Sequence, residues 1–188
     1  RSGLLNNAIL IISADHGESF TADYGGHSGP KLHDELIRIP LIIKGTGLMR
    51  GLRIDQPVSQ VDLAPTILDL AGGGSDIAGM EGRSLRPLLV GGDLPANDAF
   101  SMAFQRSNRV GTLAVGSLAL TRGRWKFVHY WGQPNLPGYR DLTDALYDTD
   151  TDPSESRDVA GQHPDTARAM KAAIMQKRAT MTSAAISR

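Results

Sequence analysis

Ala8-Ile-Leu-Ile-Ile-Ser13-Ala-Asp15-His16-Gly17-Glu18 is the stretch from which the fold can be read. Residues 8–12 are apolar without a break. That pattern predicts a strand covered on both faces, as in a parallel sheet sandwiched by helices. The run stops at Ser13, and Asp15 and His16 follow where open α/β sheets present their ligands, just beyond the carboxyl end of a strand. A carboxylate suits a hard divalent ion, and a neutral imidazole suits zinc, manganese or iron. Asp15 and His16 are therefore candidate metal ligands. Gly17 would let the chain turn away without a Cβ clash. The same pair also reads as the polar turn that ends an ordinary strand, so the surrounding pattern has to decide.

That pattern continues through Gly25-Gly26-His27-Ser28-Gly29-Pro30 and Asp34-Glu35-Leu36-Ile37-Arg38-Ile39-Pro40-Leu41-Ile42-Ile43. Together with Ser13-Ala14-Asp15-His16-Gly17-Glu18 it resembles the sulfatase family of the alkaline phosphatase superfamily. The likeness runs on through Val58-Ser59-Gln60-Val61-Asp62-Leu63-Ala64-Pro65-Thr66, Gly82-Arg83-Ser84-Leu85, Arg124-Trp125-Lys126-Phe127, Ala145-Leu146-Tyr147-Asp148 and Asp152-Pro153-Ser154-Glu155. It implies that Asp15 and His16 are two ligands of a calcium-type ion, and that a Lys or His in the following loop contacts the sulfate. His27 is the favoured residue for that contact and Lys31 the second candidate. His33 is read as a packing or surface residue.

The resemblance also implies a nucleophile that these residues do not supply. The family uses a formylglycine made from Cys or Ser in Cys/Ser-x-Pro/Ala-x-Arg. The sequence has no Cys and no Ser in that setting. The chain is thus expected to be the C-terminal portion of a longer enzyme, inactive alone and partnered by the missing N-terminal portion.

Composition sets wider bounds. The 188 residues are 40% hydrophobic and 21% charged, ordinary for a globular protein with a sizeable core. Twenty Lys and Arg balance 20 Asp and Glu, so no basic nucleic-acid surface is expected. No apolar run approaches the roughly 18 residues of a membrane span.

Along the chain, Arg1 to Asn7 reads as a helix tail and turn. Phe20 to Pro30 reads as a glycine-broken loop, a common place for function. Residues 39–43 read as a second strand with Pro40 at its start. Asp62 reads as the N-cap of a helix that places Leu63, Ile67 and Leu70 on one face. From Ala99 the pattern becomes short, β-leaning segments, with a hairpin at Arg122-Gly123. Asp148, Asp150, Asp152 and Glu155 lack the glycine and closing glutamate of a calcium loop and read as a structural turn. Pro164 to about Met181 predicts a helix with Met170, Ile174 and Met181 along one stripe.

The expected fold is α/β, the C-terminal part of an alkaline-phosphatase-like sulfatase fold. Residues 1–97 would belong to the metal-binding domain, and residues 98–188 would form a small antiparallel sheet with a C-terminal helix. The expected activity of the parent is sulfuric ester hydrolysis on a small-molecule or saccharide sulfate ester, with a divalent metal, calcium by the resemblance. One alternative is a phosphodiester or phosphonate monoester hydrolase or transferase of the same superfamily, with manganese or zinc. The other is a non-catalytic module. An exposed strand edge is expected to pair with a second copy of the chain or to associate weakly, giving a homo-oligomer.

Overall fold

The computed structural model describes residues 7–21, 24–27, 29–74, 79–107, 113–132 and 142–186. The helix tail expected over residues 1–6 lies outside them. The chain divides into two compact units, Arg1–Asp15 with Ile39–Ala99, and His16–Arg38 with Phe100–Arg188.

In the first unit, the apolar run forms strand β1 (Leu10–Ser13), and β4 (Leu41–Lys44) pairs with it. The pairing is antiparallel, with Ile11 opposite Ile43 and Ile12 opposite Ile42. This corrects the expected parallel strand with both faces covered. An all-apolar run specifies a strand but not the direction of its neighbour. Here only one face of the ribbon is partly covered. Leu10, Ile12 and Ile42 are exposed, Ile42 by 58%. The other face, with Leu41 and Ile43, lines an apolar groove with Leu48, Met49, Leu85 and Leu88. Pro40 sits just before β4, where its missing N–H breaks no ladder bond, and its carbonyl accepts the Ser13 hydroxyl at 2.9 Å.

A 3₁₀ turn (Gln60–Asp62) leads into helix α2 (Leu63–Leu70). Asp62 is not a simple cap for α2. Its carboxylate accepts the Ser59 N–H at 3.0 Å and the Arg83 N–H at 2.9 Å. Nor does α2 bury the stripe expected of it: Ile67 is exposed, whereas Pro65 and Thr66 are buried. The reason is polar. The Thr66 hydroxyl donates to the Asp62 carbonyl at 2.6 Å and accepts the Leu85 N–H at 2.9 Å, which turns that face toward α3 (Arg86–Leu89).

In the second unit, strands β5 (Ala99–Ser107), β6 (Leu113–Arg122), β7 (Trp125–Trp131) and β8 (Ala145–Asp148) form one sheet in that order. The β6–β7 hairpin turns at Gly123, whose φ of +58° suits glycine. Helix α4 (Pro164–Ile186) packs Met170 and Ile174 against Leu118, Leu120, Phe127 and Leu146, all nearly or fully buried. Met170 and Ile174 of the expected stripe are therefore core, while Met181 is only half-buried. Leu32, Ala119 and Val128 form a second cluster, with Ile37, Tyr130 and Tyr147 packed on it. The short helix α1 (Asp34–Ile37) is tied into this unit by ions. Lys126 Nζ donates to Asp34 Oδ1 at 3.0 Å and to Glu155 Oε1 at 2.7 Å. These contacts group residues 16–38 with the sheet, whereas the sequence reading placed them with residues 1–97.

The segment expected to be an irregular loop contains a small hairpin instead. Strand β2 (Ser19–Thr21) pairs antiparallel with β3 (Tyr24–Gly26), Ser19 opposite Gly26. The strand-favouring Phe20, Thr21 and Tyr24 outweigh the glycines here. The Asp148–Glu155 turn is held together by its own side chains. The Asp152 carboxylate accepts the Ser156 and Arg157 N–H groups, and Asp148 pairs with Arg124. No helix among the described residues is long and apolar enough to cross a membrane.

Candidate functional site

The end of β1 is held on both sides of Ala14. The Ser13 hydroxyl reaches the Pro40 carbonyl, and Gln60 Nε2 donates to the Ala14 carbonyl at 3.1 Å. Asp15 follows at an exposed bend.

His16 begins the second unit and is exposed. Its Nδ1 lies 2.8 Å from the Gly17 carbonyl. The Gly17 N–H donates to the Leu36 carbonyl at 2.8 Å. A Cβ at residue 17 would stand 2.0 Å from the Glu35 carbonyl oxygen. Glycine is therefore required by the backbone of α1 packing against it, rather than by the turn inferred from sequence.

The β2–β3 register builds the rest. Ser19 pairs with Gly26, so one step outward along the ribbon sets Glu18 opposite His27. The Glu18 carboxylate is 3.0 Å from His27 Nδ1. The rings of His16 and His27 stack with centroids 4.5 Å apart and planes inclined by 18°. His16, Glu18 and His27 each offer a ligand atom within 4.8 Å of the others.

Of the residues singled out from sequence, His16 and His27 are thus brought together. The carboxylate in their cluster is Glu18, which the sequence reading quoted without assigning it a role. The available signal was its position two residues after His16, which in extended chain faces the same side. Lys31 acts electrostatically on His33. Burial, then the charges of Lys126 and Lys31, hold the His33 imidazole below its ordinary pKa. His33 Nδ1 also stands 4.0 Å from Glu155 Oε2, and its ring lies 6.0 Å from that of Tyr147. His33 is a packed residue of the second unit.

The donor set of the cluster differs from the Asp15–His16 pair that the resemblance implies as ligands. Calcium takes six to eight oxygens. Two imidazoles and one carboxylate are the donor set of a zinc-type ion with an open coordination position.

Residues 1–73 match the family model described as Sulfatase. Arylsulfatase K of Danio rerio is 30% identical over 165 residues, 87% of this chain and 30% of that protein. A solved 2-O GAG sulfatase is 26% identical with a TM-score of 0.72, covering 93% of this chain and 36% of its own. The phosphonate monoester hydrolase SpPMH from Silicibacter pomeroyi is 25% identical with a TM-score of 0.68, covering 92% of this chain and 35% of its own. The chain spans about a third of the length of the relatives it matches. The sequence match over residues 1–73 and the agreement in fold over nearly all of the chain show an alkaline-phosphatase-like α/β fold and a similarity to sulfatases.

Proposed function

We propose that this chain contributes the metal-binding and sulfate-binding turn of a sulfuric ester hydrolase. The observation that carries the reading is the His16–His27 stack, inside the segment that matches the sulfatase model. In this reading Asp15 and His16 hold a divalent cation, and His27 faces the sulfate or the leaving oxygen, with Lys31 as the second candidate cation. A positive group there stabilises the charge that builds on the ester oxygen as the S–O bond breaks. The cation, when bound, adds Lewis-acid neutralisation of the sulfate. Calcium is the ion the resemblance implies. The nucleophile, a formylglycine in this proposal, comes from polypeptide outside these 188 residues, because they hold no Cys and no Ser in the required setting.

The test is turnover of an aryl sulfate by the gene product that contains these residues, beside the 188-residue chain alone. The reading expects activity in the first and none in the second. Activity in the 188-residue chain alone overturns the division of labour, and no activity in the gene product overturns the substrate class. The similarity to a phosphonate monoester hydrolase favours one second reading, with a phosphonate monoester or phosphodiester as substrate. Parallel assays on an aryl sulfate and an aryl phosphonate monoester separate the two.

A further inference from the structure

We infer that Glu155 is a positioning residue for the His16 turn, acting through α1, and that its hold loosens when its carboxyl gives up a proton. This role rests on the reading of that turn as the functional one, and is independent of the ester it acts on.

Helix α1 is four residues long, so its two ends are only about 6 Å apart. Both ends are fastened. At the first, the Asp34 N–H donates to Glu155 Oε1 at 2.9 Å, and Asp34 Oδ1 accepts Lys126 Nζ at 3.0 Å. At the second, the Leu36 carbonyl accepts the Gly17 N–H at 2.8 Å. The backbones touch there, since a Cβ at residue 17 would stand 2.0 Å from the Glu35 carbonyl oxygen. Close-packed groups transmit a shift rather than absorb it. A displacement at Asp34 therefore reaches Gly17, the residue that follows His16.

The helix has little of its own to keep it in place. One helical turn is not stable by itself. His33 stands at its N-cap position and makes no side-chain cap hydrogen bond. Buried Leu36 holds one side. The first N–H group is held by the Glu155 carboxylate, on a residue whose own φ is +52°. A backbone strained in this way persists only where its contacts over-determine it.

The surroundings of Glu155 make this anchor sensitive to one proton. Its side chain is sealed from solvent, and Oε2 has no hydrogen-bond partner among the described residues. Lys126 faces it from β7 and Asp34 from α1. His33 Nδ1 lies 4.0 Å from Oε2. Tyr147 faces it from β8, its hydroxyl pushed up to about 12 by burial and then by the Glu155 charge. At the rim, Arg38 acts on Asp34 and Lys31 on His33. On its own turn, the Asp152 carboxylate is taken up by the Ser156 and Arg157 N–H groups. One buried lysine thus faces two carboxylates. With a proton on Glu155, Lys126 balances Asp34. Without it, one negative charge is left over, and the two carboxylates repel across the bond that anchors α1. Burial, with the Asp34 charge, accordingly pushes the Glu155 carboxyl up to about 7 against the pull of Lys126. A raised pKa stabilises the closed arrangement below the ordinary carboxyl value, and that stabilisation is lost as pH rises through about 7.

The experiment follows the isotope-labelled 188-residue chain by nuclear magnetic resonance across the neutral pH range. The Gly17 amide proton and the Leu36 carbonyl carbon report the hydrogen bond between them. Both shifts should move in step with the Glu155 carboxyl carbon, with a midpoint at about 7. In Glu155→Gln, where an amide stands for the protonated acid, that step should be lost at both positions. Circular dichroism checks that the variant is folded, and the wild-type titration decides the matter if it is not. A residue that merely stabilised the fold would move the unfolding midpoint and leave these native-state shifts flat. A step seen at Asp34 and Lys126 but absent from Gly17 and Leu36 would overturn the inference, as would a Leu36 step that survives in folded Glu155→Gln. Failure of the gene product to hydrolyse a sulfate ester removes the proposed function and leaves this coupling standing. Hydrolysis with a flat Leu36 profile removes the coupling and leaves the proposed function.

Discussion

Lys126 Nζ donates to Glu155 Oε1 at 2.7 Å, with both side chains sealed from solvent. Around this pair, Asp34 Oδ1 accepts a second Lys126 hydrogen bond at 3.0 Å, and the Asp34 N–H donates to Glu155 Oε1 at 2.9 Å. Glu155 has a positive φ of 52°, which is costly for a residue with a Cβ and is held here by these contacts. Its Oε2 is buried with no hydrogen-bond partner among the described residues. A three-residue ionic knot thus joins α1, β7 and the turn after β8.

Lys126→Met should therefore destabilise the chain by about 3–5 kcal/mol, because removing one member of a buried pair leaves its carboxylates uncompensated. Urea unfolding at neutral pH measures it. The double variant Lys126→Met/Glu155→Gln should recover part of the loss, since a neutral amide replaces the stranded charge. An unchanged midpoint in the single variant would show that the knot contributes nothing net.

The pH dependence of stability should carry two opposite signatures. Burial, with the neighbouring Asp34 charge, pushes the Glu155 carboxyl up to about 7, against the pull of Lys126. A raised pKa means the folded state holds the proton longer. This contribution is fully present below the ordinary carboxyl value and is lost as pH rises through about 7. Asp144 behaves in the opposite way. Burial raises its pKa, but hydrogen bonds from His129, Lys171 and the Tyr130 N–H outweigh this and hold it at about 2. Its contribution is present above the ordinary carboxyl value and is lost as pH falls toward 2. Glu155→Gln should flatten the limb between about pH 5 and 7, and Asp144→Asn the limb between about pH 4 and 2, read from urea midpoints across pH.

Gly17→Ala should both destabilise the second unit and weaken metal uptake. Its Cβ would sit 2.0 Å from the Glu35 carbonyl oxygen, so the backbone must part there. Overpacking of this kind costs about 1–3 kcal/mol. Thermal unfolding reads the first effect and cobalt titration the second. Exposed Gly47 has nothing within 4 Å of an added Cβ but a φ of +81°, so Gly47→Ala should cost stability through backbone strain while leaving metal uptake unchanged.

The exposed ribbon face with Leu10, Ile12 and Ile42 should make the isolated chain self-associate. Light scattering after size exclusion should show a species larger than the 20.1 kDa chain. Ile42→Lys should shift it to the monomer without lowering the thermal midpoint. A wild-type monomer at high micromolar concentration would remove this expectation.

Some of this architecture was legible residue by residue. The β6–β7 hairpin followed from Arg122-Gly123 between two β-leaning runs, and α4 from Pro164 with Met170 and Ile174 on one stripe, because such signals are local and periodic. The direction of β1 was not legible. Its five apolar residues are compatible with either neighbour direction, and only the partner strand decides. Helix α2 misled for a related reason: Thr66 is buried for its two hydrogen bonds, a preference that a hydrophobic stripe cannot express.

At the candidate site, Asp15, His16 and His27 stood out because their types and the surrounding motif carry chemistry. Glu18 did not, since its closeness to His27, nine residues along the chain, arises from the β2–β3 strand register. Sequence alone thus determined the family pattern, the donor types and the positions of β1, β4 and the β6–β7 hairpin, all of which depend on neighbours along the chain. Tertiary structure alone decided which carboxylate stands beside the two imidazoles and why residue 17 must be glycine, because both depend on backbones that meet across the fold.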